Sequence, residues 1–587
     1  MKTTWTTLQS IKFRIVLSSF GFILYLGVIL FRSYQLQIPE NDRVDLLTEQ
    51  QYHAKIAMHP KRGTIYDKNG EVLAMDVQVA SIAIHPRQMA KDEALMAKFS
   101  EILKMPTEKI SEKMNSNKKF EWLARRVPAE QGQQIADLKI AGVDTFTEYR
   151  RFYPNKELAG NILGAVGYDA KALGGLELAL DTYLKSSPGN RRAERDAKGR
   201  FFTPFVETRD IYHDVYLTID ANLQYIAEKY LWENAQKYSP KSGFAIVMDP
   251  HTGGILAMAN YPRFNPNVYW EYSQDAWKNH AVIDTYEPGS TFKSIMAATA
   301  LESGKVKSGD SFFCENGSFQ IGSHVIHDHG GGYQNLTLAD IIKVSSNIGV
   351  TKVGRKVGKE AFSDMITGLG FGQKVDLEFP GVERGRVSAA KRWSDIDFSN
   401  IAFGQGLSVT GIQMTQAYAT FANDGVRMKP LLVSKVMDSD GNIVVENKIT
   451  ELAHVMKPKA AQDLGQILKG VVEEGGTGKA AKLKGYAVSG KTGTAQKVDA
   501  VSKKYDNRNY VGSFIGYVPT RNPEYVIYVV YDSPTPSHLG GVVAAPVFKN
   551  IASEALAYAG VPPDHFELAK VQKSNETVSF GGEALAD

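Results

Sequence analysis

The chain opens on an apolar run. Ile15 to Phe31 carries no charged residue and is bounded by Arg14 and Arg32. Its 17 residues sit at the lower limit for a helix that crosses a bilayer. The flanking arginines can lay their stems along the run and keep their charges at the headgroups. The pattern predicts one transmembrane helix, residues 15–34, behind a cytoplasmic tail of residues 1–14. Lys2, Lys12 and Arg14 favour a cytoplasmic N-terminus. Ser33-Tyr34-Gln35-Leu36 follows without a small-x-small cleavage site, so a retained signal anchor is expected. No later stretch is apolar enough to span, and the remaining chain is expected outside the cytoplasmic membrane.

From Gln35 to His213 short strand-like and helical patches alternate. Thr64-Ile65-Tyr66-Asp67-Lys68-Asn69-Gly70-Glu71-Val72-Leu73 reads as strand, Asn-Gly turn, strand. Ala90 to Met114 reads as helical and charged on one side. Tyr149-Arg150-Arg151-Phe152-Tyr153-Pro154 is a basic, aromatic elbow, and Gly174-Gly175-Leu176-Glu177 opens a helix that Pro188-Gly189 ends. Nothing here sets a nucleophile beside a base, so residues 35–212 are expected to form a structural or docking pedestal.

A second unit, residues 213–560, begins near Val215 to Asp220. A helix follows from Ala221 to about Lys237. Phe244 to Met248 and Ile255 to Met258 flank Asp249-Pro250-His251-Thr252-Gly253-Gly254, which predicts an antiparallel hairpin. Far downstream, Val511 to Val518 and Tyr525 to Tyr531 read as two more strands. Ala545 to Ala559 reads as a closing helix with Gly560 as its cap. Strands at both ends and helices between them predict an α+β domain whose terminal strands share one sheet. Residues 561–587 are left as a tail.

Composition narrows the function. Hydrophobic residues make up 43% of the 587 and charged residues 22%, as in a globular protein. A net charge of +4 gives no electrostatic support for binding nucleic acid. The single cysteine, Cys314, excludes an internal disulfide framework and a Cys-based zinc site.

The candidate chemistry centres on Glu287-Pro288-Gly289-Ser290-Thr291-Phe292-Lys293. Residues three apart on a helix share a face, so a helix opening near Gly289 sets the Ser290 hydroxyl beside the Lys293 amine. The nearly apolar Ser294 to Leu301 that follows predicts a buried helix. Burial lowers a lysine pKa, and a neutral amine could take the proton from Ser290 and make it a nucleophile. Alone this is weak, because Ser116/Lys119 and Ser388/Lys391 show the same spacing. Two further segments single Ser290 out: Ser345-Ser346-Asn347 between two helical stretches, and Lys491-Thr492-Gly493-Thr494 after strand-like Tyr486-Ala487-Val488. Lys491 can depress the pKa of Lys293, and Ser345 can pass a proton to a leaving amine. Asn347 can orient a substrate backbone. The backbone amides of Ser290 and Thr494 are the natural pair for an oxyanion. Gly493 leaves room for substrate at the strand edge. Thr492 and Thr494 offer hydroxyls to a carboxylate, with Lys491 as counter-charge. Lys241-Ser242-Gly243 precedes the nucleophile and is given no role. His324, His327 and His329 beside Asp328 read as surface-loop histidines rather than a metal site, and Asn575-Glu576-Thr577 falls in the tail.

In this order the three segments resemble the signature of penicillin-binding proteins and class A β-lactamases. Nearly the whole chain resembles the class B penicillin-binding proteins. Arg62 to Gly70, Arg151-Phe152-Tyr153-Pro154 and Gly175-Leu176-Glu177 are similar to the three motifs of their N-terminal module. Lys156 and Asn161 stand where the second motif usually has Gly and His. Lys391 to Ile396, Gly404-Gln405-Gly406 and Ala544 to Phe548 resemble the division branch rather than the elongation branch. The resemblance implies a penicillin-binding, serine β-lactamase-like transpeptidase fold, an antiparallel sheet with helices on both faces. It also implies a D,D-transpeptidase in which Ser290 attacks the D-Ala-D-Ala bond of a peptidoglycan stem peptide and an amine from a second stem takes the acyl group. β-Lactam antibiotics would acylate the same serine. No cofactor is implied. The implied setting is the division septum, with an FtsW-type glycosyltransferase and other division proteins as partners.

Other readings are an elongation transpeptidase, a β-lactamase, and a non-catalytic membrane-anchored scaffold or sensor. A class A β-lactamase takes its water-activating carboxylate from Glu-x-x-Leu-Asn, and the dipeptide Leu-Asn occurs nowhere in the chain.

Overall fold

The computed structural model describes residues 3–37, 53–54, 61–185, 193–194, 212–498 and 504–564. Pro188-Gly189, Asn575-Glu576-Thr577 and most of the tail lie outside the described residues. The chain divides into two units, one of residues 1–60 and 186–211, the other of residues 61–185 and 212–587.

In the first unit α1 (Thr3–Gln37) is a single helix, of which Leu8–Gln35 is long and apolar enough to cross a membrane. His53–Ala54 pairs antiparallel with Ala193–Glu194.

The second unit begins with β1 (Ile65–Tyr66) and β2 (Val72–Ile84), joined by the expected Asn-Gly turn with Gly70 at φ 88°. The helix expected across Ala90 to Met114 is two: α2 (Glu93–Leu103) and α3 (Thr107–Met114). Pro106 separates them because the residue before a proline avoids the helical region. β3 (Glu121–Pro128), α4 (Ala129–Asp137) and β4 (Val143–Phe152) complete this part, and both strands pair with β2. Asn161, the departure from the second motif, is buried and donates to the carbonyls of Ala276 and Lys278 at 2.8 and 3.0 Å.

The chain continues through β5 (His213–Leu217), α5 (Ala221–Tyr238), β6 (Ser242–Met248), β7 (Ile255–Tyr261), α6 (Lys293–Glu302), α7 (Leu338–Val344), α8 (Asn347–Val357) and α9 (Gly411–Ala422). It ends with β8 (Val433–Asp438), β9 (Ile443–Glu446), α10 (Pro458–Val472), β10 (Ser489–Val498), β11 (Tyr505–Val518), β12 (Tyr525–Asp532) and α11 (Ala545–Tyr558).

The expected terminal-strand sheet is present. Five strands run antiparallel in the order β10-β11-β12-β6-β7. Side chains alternate across a strand, and both faces of this sheet are apolar. Phe244, Ile246, Met248, Tyr528 and Val530 face a core shared with α6, α9 and α10. Ala245, Val247, Ile527, Val529 and Tyr531 face α5 and α11. A sheet covered on both faces reads as near-continuous apolar runs, as β6 and β12 do. A second, seven-stranded sheet has the order β9-β8-β5-β1-β2-β3, with β4 paired to β2. Its β5 pairs on one side with β8 and on the other, in parallel, with β1.

The strands of residues 61–185 are tied down by a buried ionic cluster. Glu177, fully buried, accepts from Arg62 Nη2 at 2.8 Å and from Arg151 Nε at 2.6 Å. Arg151 Nη1 also reaches Asp76 at 3.3 Å and the Gly63 carbonyl at 2.7 Å. The three N-terminal motifs, far apart in sequence, therefore meet at one carboxylate.

Candidate active site

Ser290 stands in a 3-10 turn, Gly289–Phe292, that runs into α6. In a 3-10 helix residues three apart eclipse one another, so Ser290 and Lys293 share an edge. Gly289 enters this turn at φ 55°, in the left-handed region that favours glycine. A side chain at Gly404 would fall 2.1 Å from the Gly289 carbonyl oxygen, so Gly404 lets a second loop close over the turn. Tyr418, buried on α9, donates to the Thr291 carbonyl at 2.9 Å and accepts from Ser294 Oγ at 2.7 Å. The nucleophile is thus held from both sides.

Lys293 is 1% exposed, and burial pushes its amine down to about 7 while Asp328 works in the opposite direction. Its amine donates to the Ser345 carbonyl at 2.5 Å and to Ser345 Oγ at 3.1 Å. Lys491, fully buried on β10, donates to the same Oγ at 3.0 Å. Burial, then repulsion from Lys293, pushes Lys491 well below the usual lysine range. Two ammonium groups on one hydroxyl would repel, so the two amines titrate as a coupled pair.

Ser345 ends α7 in the left-handed conformation, φ 65°. That conformation costs a non-glycine residue about 1–2 kcal/mol, and here it directs both the carbonyl and the hydroxyl at Lys293. The N-terminus of α8 is fixed by Asp328. Its carboxylate accepts from Ser346 Oγ at 2.7 Å, Asn347 N at 2.6 Å and Ile348 N at 3.0 Å. Sequence reasoning missed this, reading Asp328 only as a neighbour of three histidines. The described residues hold no group of three or more His, Cys, Asp or Glu able to bind a metal ion.

The Lys-Thr-Gly segment lies inside β10, not at the end of a strand as its preceding residues suggested. β10 is an edge strand. Its odd positions pack on the nucleophile turn. A Cβ at Gly493 would lie 2.3 Å from Ser513 Oγ and 2.9 Å from Thr291 Cγ2, and the Ala495 methyl sits beside Gly289. The missing side chain of Gly493 therefore makes room for the turn, not for substrate as expected. The even positions, Thr492, Thr494 and Gln496, line a cleft of about 1040 Å³ together with Ser290 and Ser345. Thr492 Oγ1 bonds Thr477 Oγ1 at 2.8 Å, and Thr494 Oγ1 accepts from Gly540 N at 3.2 Å. Asn347 is not among the cleft's lining residues, and its Nδ2 donates to the His327 carbonyl at 2.9 Å.

Most of the predicted residues therefore converge. Ser290, Ser345, Thr492 and Thr494 share one cleft, Lys293 and Lys491 are buried against Ser345, and Asn347 and Gly493 stand at the margins. Two lysines of depressed pKa on one serine hydroxyl, beside a second serine, suit acyl transfer through a serine ester.

Residues 243–553 match the penicillin binding protein transpeptidase domain family, and residues 57–211 match the penicillin-binding protein dimerisation domain family. The chain is similar to the probable peptidoglycan D,D-transpeptidase PbpC of Pseudomonas aeruginosa, 34% identical over 86% of this chain and 88% of the relative. It is 30% identical to the peptidoglycan D,D-transpeptidase FtsI of Escherichia coli over 93% of this chain and 90% of the relative. Among solved structures it is similar to penicillin binding protein 3 of Mycobacterium tuberculosis in complex with aztreonam. That similarity has a TM-score of 0.69 and 28% identity, and covers 86% of this chain and 98% of that one.

Proposed function

The chain belongs to the class B penicillin-binding proteins, and from that premise we propose that Ser290 is the acyl-accepting nucleophile of a peptidoglycan D,D-transpeptidase. The observation that carries this reading is the Ser345 hydroxyl, which receives an N–H from each of two buried lysines.

The first half-reaction follows from the donors and acceptors present. A neutral Lys293 amine donates its two hydrogens to the Ser345 carbonyl and hydroxyl and keeps its lone pair for the Ser290 proton. Ser290 Oγ attacks the carbonyl between the two D-alanines. The Ser290 and Thr494 amides hold the oxyanion, and removing one such donor typically lowers the rate about 10²–10³-fold. Ser345 relays a proton to the departing amine, and D-alanine leaves. The carboxylate it carried had rested on the Thr492 and Thr494 hydroxyls, with Lys491 as its counter-charge. In the second half-reaction an amine of another stem attacks the Ser290 ester, a peptide bond replaces the ester, and the hydroxyl recovers its proton through Lys293. Asn347, outside the cleft lining and tied to the His327 carbonyl, would orient the substrate backbone only where the substrate extends past the cleft margin.

β-Lactams enter the same path but retain their leaving group. Benzylpenicillin is expected to leave one adduct per chain by intact mass, mapping to the peptide that contains Ser290. Rapid multiple turnover of a chromogenic cephalosporin would show a hydrolase instead and sink the proposal.

We further propose that this enzyme acts at the division septum, with its N-terminus in the cytoplasm, its catalytic domain outside the membrane, and an FtsW-type glycosyltransferase and other division proteins as partners. Lys2, Lys12 and Arg14 ahead of the apolar helix support the orientation, and the likeness to FtsI supports the branch. A fluorescent fusion of the full chain should gather at midcell. Even distribution along the lateral wall would assign it to elongation.

A further inference from the structure

The back of the nucleophile turn is held by a hydroxyl that the reaction as proposed does not use. Ser290 and Lys293 lie three residues apart and share one edge of the turn. Thr291 and Ser294 are also three apart and share the next edge, about 120° around the axis at three residues per turn. One group grips both. Tyr418 Oη donates to the Thr291 carbonyl at 2.9 Å and accepts from Ser294 Oγ at 2.7 Å. Tyr418, Thr291 and Ser294 are all buried, and none of them lines the cleft.

The grip has one direction. A phenol carries a single proton. A carbonyl oxygen only accepts, so that proton goes to Thr291, and Ser294 supplies its own to Tyr418. Burial pushes the Tyr418 phenol up from its ordinary range. Its proton therefore stays in place at the pH where Lys293 titrates, about 7.

The tyrosine itself stands on fixed ground. Every residue of α9 is buried. Gln413 on this helix donates to the carbonyls of Gln373 and Arg384 at 2.8 and 2.9 Å, and Gln416 donates to that of Met428 at 2.8 Å. The Tyr418 ring packs on Phe421 with centroids 5.5 Å apart. Without the hydroxyl, the Thr291 carbonyl and Ser294 Oγ each lose a partner in a buried site, where an unpaired polar group is costly. A serine within a helix that lacks an outside partner turns to the carbonyl four residues back, a bond that bends helices. For Ser294 that carbonyl belongs to Ser290, so the relaxation displaces the nucleophile's own backbone.

We propose that Tyr418 is a positioning residue for acyl transfer, its hydroxyl fixing the rotation of the nucleophile turn and with it the approach of Ser290 Oγ to the Lys293 amine. The inference rests on the transpeptidase reading above. Tyr418 touches no substrate and moves no proton. It acts through Thr291 and Ser294.

The test follows acylation of the full-length protein by benzylpenicillin, reading the rate constant across pH 5–9 and the final amount of adduct by intact mass. Tyr418→Phe keeps the ring and deletes the hydroxyl. Its rate constant should fall about ten- to a hundredfold, the scale on which a small misplacement slows an enzyme. The end point should stay at one adduct per chain and the pH midpoint at about 7. A fold that is merely softened lowers the amount of adduct rather than its rate. Tyr531→Phe is the control. Tyr531 is equally buried, and its hydroxyl donates to the Leu231 carbonyl at 2.8 Å on the other face of the sheet. Its loss removes a comparable bond and should leave acylation at the wild-type rate. A Tyr418→Phe rate constant within twofold of wild type, a slowing matched by Tyr531→Phe, or a displaced pH midpoint overturns the positioning role. Should Tyr418→Phe not fold, Ser294→Ala removes one of the two bonds and no ring. A severalfold slowing at full adduct then supports the role, and the wild-type rate overturns it. Absence of any benzylpenicillin adduct on wild type strikes the underlying transpeptidase reading instead, and the positioning role with it.

Discussion

Lys293→Ala should acylate with benzylpenicillin about 10³-fold more slowly than wild type, within the 10²–10⁴ that a positioned general base contributes. The wild-type acylation rate should rise with pH through about 7 and flatten above it. The sign follows from the base being the neutral amine. Burial holds Lys293 at about 7, so below that pH the amine is protonated and has no lone pair for the Ser290 proton. Above it the amine is free and further alkali adds nothing. Lys293→Ala should lose this rising limb along with the rate. Ser290→Ala, with the base intact, should take no adduct at any pH. Stopped-flow acylation across pH 5–9 checks all three profiles. A Lys293→Ala rate within tenfold of wild type, or a wild-type profile flat through neutrality, would remove Lys293 from the role.

How far the site could be read ahead of the structure depended on how local each signal was. Ser290 and Lys293 lie three residues apart, and their proximity needs only one turn of helix. The strands of the sheet were visible because Phe244 to Met248 and Tyr525 to Tyr531 are apolar at nearly every position, whereas its cover of helices on both faces came only from the family resemblance. β10 was not visible. Ser489-Gly490-Lys491-Thr492-Gly493-Thr494 has little intrinsic strand preference, and its extended form follows from pairing with β11, from Ser489 opposite Tyr517 to Thr494 opposite Gly512. The reason for Gly493 was misjudged for the same cause. Its constraint comes from Thr291 and Ser513, which no window around residue 493 contains.

Asp328 illustrates a different limit. Beside three histidines it invited a metal reading. Its actual bonds are to Ser346, Asn347 and Ile348, 18 to 20 residues later, where it satisfies N–H groups at the start of α8 that have no partner within the helix. The same carboxylate raises the pKa of Lys293 against the effect of burial. One loop residue therefore orders the second motif and tempers the base of the first, and neither bond could be inferred from spacing.

The ionic cluster around Glu177 carries the second large expected effect. Glu177→Ala should destabilise the folded chain by about 3–5 kcal/mol, the usual result of removing one partner from a buried ion pair. The carboxylate is fully buried and lies between two guanidinium groups that are themselves almost wholly buried, Arg62 and Arg151. Burial alone would push Arg151 down, but Glu177 and Asp76 hold it above the ordinary arginine range. Alanine at 177 leaves Arg62 with Asp181 and Arg151 with Asp76. The charge that faced both is gone, in a core where Leu176 and Leu180 are also buried. Against a net stability of about 5–15 kcal/mol for a typical domain, this is a large fraction. Urea unfolding followed by intrinsic fluorescence should show an earlier transition for Glu177→Ala, with Glu177→Gln intermediate because its amide oxygen can still accept one N–H. Chains that remain folded should acylate Ser290 at the wild-type rate, since no atom of this cluster reaches the cleft. A Glu177→Ala transition coincident with wild type would show that the two arginines find other partners, and that the meeting of the three motifs adds no net stability.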